Sequence, residues 1–301
     1  AWNYYKNRQE DADGKFQKLR WFKTPPLKVR DFSLYPGTRC NFVHIHIRRY
    51  GTAMLYGVMP IPVIPDKGFK IQLPTFMKDN LVLNYEMDDV YKDTVTDLQV
   101  PDSSSNAKDM EQATASEEPT IITTHRGLDF DAANNQHIER TSGLTGILNR
   151  AEITFAVVIY PHFDHNDITG QVDFMVVTGA VGHEIYMVYD ATPANRNIEV
   201  QLEVGSRLQV APAAYSAYFV KNAFNVLIAS LDRTGANTLY VNKQNVGSNA
   251  AAWTPVNPSG LSISSPANPY DGEVNNIKII AKVLTQVQVN WLTDYMKSLV
   301  E

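Results

Sequence analysis

The sequence predicts an all-β body, a two-sheet antiparallel sandwich running from about residue 81 to the C-terminus. Three observations predict it. Short stretches of alternating or β-branched apolar residues recur, with Gly, Asn, Asp and Pro between them. The hydrophobic period changes only once, to a helical one, near residue 285. Charge is also partitioned: residues 1–80 carry 14 Lys+Arg against 6 Asp+Glu and the rest 13 against 26, so an arm of +8 precedes a body of −13.

Taken in order, residues 1–30 scatter Trp2, Tyr4, Tyr5, Trp21 and Phe22 among basic residues without a sustained period. Aromatic and Arg anchors on an extended segment suit docking to a partner, so Trp2, Tyr4, Tyr5, Arg8, Arg20, Trp21, Phe22 and Arg30 are the docking candidates. The competing reading is an arm folded back on its own acidic body. Residues 39–50 place Val43, Ile45 and Ile47 on one face and His44, His46 and Arg48 on the other, a half-buried strand. Pro60, Pro62 and Pro65 mark an extended connector or edge. Residues 1–80 are therefore assigned to a basic arm with a small β region, and 81–301 to the sandwich.

A strand is expected over 81–86. A long surface loop is expected over 93–120, where polar runs replace core formers. Further strands are expected over 127–131, 152–160, 172–178, 184–189, 198–204, within the long apolar run 215–230, over 238–242 and over 272–283. The run 238–242 should pair across the Arg233-Thr234-Gly235 turn. Thr285-Gln286-Val287-Gln288 fits a capping box, and Val287, Trp291, Leu292, Tyr295 and Leu299 recur at helical spacing. One amphipathic helix should therefore cover an edge or end of the sandwich.

The same reading excludes several classes. A single cysteine, Cys40, rules out an internal disulfide framework and points to a reducing compartment. Residues 1–20 contain no apolar leader core, so no secretory signal is expected. No run reaches membrane-spanning length. P-loop, dinucleotide-binding and nucleophile-elbow motifs are absent, and the basic arm lacks a nucleic-acid module, so nucleic acid is not an expected partner.

Two groups of residues carry a family resemblance. The first is Leu81-Val82-Leu83-Asn84-Tyr85-Glu86-Met87-Asp88, Gly127-Leu128-Asp129-Phe130-Asp131 and the strand ending in Ile159-Tyr160-Pro161. The second is Thr238-Leu239-Tyr240-Val241-Asn242-Lys243, Tyr270-Asp271-Gly272-Glu273-Val274-Asn275-Asn276-Ile277 and Val283-Leu284-Thr285. Together they resemble the laminin-G-like, concanavalin A-like lectin and glucanase jelly roll over about residues 81–290. Lys243 stands where that family usually has a turn glycine. The resemblance implies a fold that hosts lectins, glucanases, adhesion modules and viral coat decorations. The family's glucanases carry Glu-x-Asp-x-x-Glu, which Glu86-Met87-Asp88 begins but Tyr91 breaks, so no catalytic residues are assigned.

The segment 161–167 gathers His162, Asp164, His165, Asn166 and Asp167 after a strand. Asp164, Asn166 and Asp167 are candidate Ca²⁺ ligands, since the family sometimes holds Ca²⁺ at its rim; a polar turn is the alternative. Asp88, Asp89 and Asp93 read as a solvated acidic loop. The expected function is non-enzymatic: a structural or attachment protein of a virus particle, such as a bacteriophage capsid decoration, head fibre or tail-associated subunit. It would assemble in the host cytoplasm as a homo-oligomer and dock to major capsid or tail subunits, with host-surface glycans as further partners. The alternative is a carbohydrate-binding lectin-like adhesion module. Its contacts would come from His162, Asp164, Asn166 and Asp167, from loops at 192–197 and 249–257, and from Trp253 as a stacking platform or a packed end residue.

Overall fold

The computed structural model describes residues 42–48, 54–60, 73–87, 91–92, 97–122, 124–178, 185–187, 193–203, 206–254 and 258–300. The chain forms two compact units, Ala1–Pro74 and Thr75–Glu301. In the first, strands β1 (Phe42–Arg48) and β2 (Met54–Pro60) make an antiparallel hairpin with Phe42 opposite Pro60.

The second unit opens with a helical turn, α1 (Thr75–Lys78), and β3 (Leu81–Glu86), β4 (Tyr91–Lys92), β5 (Leu98–Val100) and β6 (Met110–Gln112). Strands β7 (Thr120–Ile122), β8 (Gly127–Phe130) and β9 (Ile138–Arg140) precede a turn of helix, α2 (Thr145–Leu148). The long strand β10 (Glu152–Pro161) is followed by β11 (Val172–Thr178), β12 (Ile185–Met187), β13 (Ile198–Glu203) and β14 (Ser206–Val210). After α3 (Pro212–Tyr215) come β15 (Asn225–Asp232), β16 (Asn237–Val241), β17 (Gln244–Asn249), β18 (Gly260–Ile263), β19 (Gly272–Ile280) and the helix α4 (Gln286–Ser298).

These strands form two antiparallel sheets. One runs β17-β16-β15-β10-β19-β8-β7; the other runs β14-β13-β12-β11-β18-β9-β6-β5-β4. In the first sheet β19 is bordered by β10 on one edge, while its other edge is shared by β8 at Gly272–Val274 and β3 at Asn276–Ile280. The two-sheet antiparallel sandwich with one C-terminal helix is the architecture the sequence predicts.

Phe155, Val157 and Ile159 of β10 and Ile277 and Ile279 of β19 meet Phe174, Leu261 and Ile263 of the facing sheet in one buried core. The outer face of the first sheet is also covered. Ala156, Val158, Ile228 and Ile280 are buried without belonging to that core, as are Val289, Leu292 and Met296 of α4. Asn276 Nδ2 donates to the Met296 carbonyl and the Lys278 ammonium lies 5.4 Å from the Tyr295 ring centre, which places α4 on that face. Burial on both faces is why residues 152–160 read as a continuous apolar run rather than an alternation. Lys278 is buried, and Asn84 Oδ1 and Glu86 Oε1 accept from its ammonium.

The helix has the expected capping box, with Thr285 and Gln288 exchanging bonds at its start. Its inward face differs from the one the spacing predicts. Val287 is 77% exposed, and Thr293 is buried instead. Thr293 tolerates burial because its hydroxyl donates to the Val289 carbonyl at 2.9 Å.

Two other elements depart from expectation. The loop predicted over 93–120 contains β5 and β6, and between them the buried Asp102 organises the backbone. Its carboxylate accepts from the N–H groups of Asn84, Ser104 and Lys108 and from the Ser104 hydroxyl. A polar sequence therefore pays out as ordered structure, because a buried carboxylate must be satisfied. The apolar run 215–230 is a strand only from Asn225; Pro212 starts α3, and the Tyr215 hydroxyl donates to the Arg196 carbonyl at 2.6 Å. At the β16–β17 turn Asn242 and Lys243 hold φ of +48° and +76°, so Lys243 adopts the left-handed conformation the family's glycine supplies. An ion pair from Lys243 to Asp294 ties that turn to α4.

Candidate ligand-binding site

Strand pleating and register bring together groups that are remote in sequence. Asp129 of β8 and Tyr160 of β10 each lie opposite Glu273 of β19, so the three form a lateral row on the outer face. The contacts of α4 on that face, at Asn276 and Lys278, lie further along β19. His125, on the turn before β8, hydrogen-bonds the Glu273 carboxylate at 2.9 Å. Its ring centre is 5.2 Å from Tyr160 and 5.3 Å from Phe224, and Tyr160 and Phe224 are 5.2 Å apart. His162 stands edge-on to Tyr160 at 6.1 Å, with Nδ1 3.4 Å from Asp271 and 3.9 Å from Asp129.

The result is a closed triangle of half-buried rings bordered by three carboxylates and a second histidine. The Glu273 side chain is buried and fixes His125, whereas Asp129 and Asp271 are 39% and 50% exposed. Burial pushes the Asp129 carboxyl above the usual carboxylate range; His162 opposes this, and Asp271 and Asp131 add to it. Half-buried rings held at and beside paired strands offer stacking faces, and the carboxylates beside them accept hydrogen bonds. Gly272 lets β19 enter this row: it has φ +140° and a Cβ there would lie 2.5 Å from the Tyr160 carbonyl oxygen.

Of the sequence candidates, His162 belongs to this site. Asp164, Asn166 and Asp167 form the adjoining turn, stapled by basic side chains. The Lys221 ammonium is 2.9 Å from Asp167, and Arg196 donates to the carbonyls of His165 and Asn166. Asp167 accepts from the Asp164 N–H and Asp164 from the Asn166 N–H. The bond from the Asp164 N–H above all, then Lys221, hold the Asp167 carboxyl below its usual range. The position expected for Ca²⁺ is thus neutralised by Lys221 and Arg196, and among the described residues no group of three or more His, Cys, Asp or Glu is arranged to hold a metal ion.

The segment containing Arg196 meets the turn that follows His162. Trp253 does not. It is 3% exposed, its indole N–H donates to Asn237, and its backbone N–H donates to Arg233 beside the start of β10. That is the opposite end of a ten-residue strand, about 30 Å from Tyr160. Trp253 packs the interior and offers no ring face to a sugar. Trp2, Tyr4, Tyr5, Arg8, Arg20, Trp21, Phe22, Arg30, Cys40, Asp88, Asp89 and Asp93 lie outside the described residues.

The sequence reading missed His125, Tyr160 and Phe224 as partners because three separate segments supply them. A signal existed: Tyr160 falls on the outward phase of β10, and Asp129 and Glu273 are charged positions flanked by apolar residues that bury the opposite face.

No family model and no curated protein matches the chain. Solved structures do. The binding domain of Paraclostridial Mosquitocidal Protein 1 aligns at TM-score 0.55 and 14% identity, covering 73% of this chain and 53% of that one. The binding domain of botulinum neurotoxin DC, solved with SialylT, aligns at 0.51 and 12%, covering 73% and 52%. Domain 4 of AbnA, a GH43 extracellular arabinanase from Geobacillus stearothermophilus, solved with arabinotriose, aligns at 0.50 and 15%, covering 74% and 98%. The fold is a jelly-roll β-sandwich. The chain spans about half the length of the toxin domains it matches.

Proposed function

We propose that the sandwich is a non-catalytic glycan-binding module whose ligand rests on the Tyr160–Phe224–His125 triangle. The observation that carries this reading is the site itself: three half-buried rings in mutual contact, Tyr160 on β10 and His125 and Phe224 just before β8 and β15, with carboxylates at their border. Sugars present apolar C–H faces that stack on rings and hydroxyls that donate to carboxylates. Likeness in fold to domains solved with arabinotriose and with SialylT supports the same class. Binding without hydrolysis is favoured because the Glu273 carboxylate is buried and committed to His125, and no Glu-x-Asp-x-x-Glu strand is present. The charge of +8 over residues 1–80 supports a companion role for the first part of the chain, mounting the module on an assembly such as a phage particle.

A glycan array probed with the full chain tests the reading. A defined set of glycans should bind, and Tyr160→Ala should weaken each by at least about tenfold while leaving the melting temperature within a few degrees. Binding that is indifferent to Tyr160, or an array without a single ligand, would refute it.

A further inference from the structure

We infer that the ligand of this patch carries a protonated amine, so that the glycan recognised contains a free amino sugar; the inference rests on the glycan-binding reading above. Two independent features of the patch favour the same charge. The faces of Tyr160 and Phe224 carry the negative end of the ring quadrupole, which attracts cations. Beside them stand Asp129, Asp271 and Glu273, with Asp131 also acting on Asp129. Two imidazoles border them: His125, already bonded to Glu273, and His162, beside Asp271. Arg126 is exposed on the preceding turn.

A third feature gives the amine a place to bind. Asp129 and Asp271 are 39% and 50% exposed beside the rings, so their outer oxygens are open to its donors, while the buried Asp129 Oδ1 has no donor among the described residues. An ammonium brings three donors and relieves the repulsion between Asp129 and Asp271. Sialylated or sulfated sugars would meet the same carboxylates with like charge.

Calorimetric titration of the full chain at about pH 6, where such an amine is protonated, tests this with a glucosamine tetramer, its N-acetylated twin and sialyllactose. The amine-bearing tetramer should bind at least about tenfold more tightly than its twin, and sialyllactose should not bind. The double variant Asp129→Asn/Asp271→Asn should stay folded and lose the preference. Equal affinity for the twins, or a preference for sialyllactose, overturns the inference and leaves the glycan-binding reading standing. Binding that survives Tyr160→Ala is attraction of a polycation to an acidic surface and overturns it as well. Silence from these sugars and from the array overturns both.

Discussion

Asp129 occupies a position that a stability-driven choice would avoid. Its carboxyl is partly buried, faces Asp271 and Asp131, and has one oxygen without a donor. Because its folded-state pKa is raised, the folded protein holds that proton more tightly than the unfolded chain does. Stability is therefore lost as pH rises through the raised pKa. Asp129→Asn should raise the melting temperature at about pH 7, and the gain should fade as the pH falls back through the raised pKa, where the wild-type carboxyl takes up its proton. Melting curves across that range check the sign; a variant less stable than wild type at both ends contradicts it. A residue kept at a cost in stability, beside stacking rings, fits a group retained for binding.

At the scale of elements, α4 shows why pattern reading succeeds at ends and errs on faces. Capping residues act locally, so Thr285 and Gln288 were legible from four letters. The buried face depends on what lies beneath, and the outer surface of β10, β15 and β19 selects Val289, Leu292, Thr293 and Met296 over Val287. Leu292→Ala should cost about 2–5 kcal/mol in denaturant titration, whereas Val287→Ala should cost under about 0.5 kcal/mol. Equal losses would mean that the helix seats on a different face. The short strands β5 and β6 escaped the sequence reading for a related reason. Their three-residue lengths carry no measurable period, and Asp102 holds the segment between them through hydrogen bonds that composition does not reveal.

At the scale of the whole molecule, the sandwich was legible because its long strands bury alternating or double faces, as at β10 and β11. The candidate site was legible only at His162. Its other members come from β8, β10, β19 and the segment before β15, and only the strand order makes them neighbours. The same order separates Trp253 from His162 by the length of β10, so two residues grouped by composition belong to opposite ends. The most direct measurement is a chemical-shift titration of the isotope-labelled full chain with the strongest glycan from the array. The account predicts saturable shifts at His125, Asp129, Tyr160, His162 and Phe224, with Trp253 unmoved. Shifts clustered at the Trp253 end, or none around Tyr160, would contradict it.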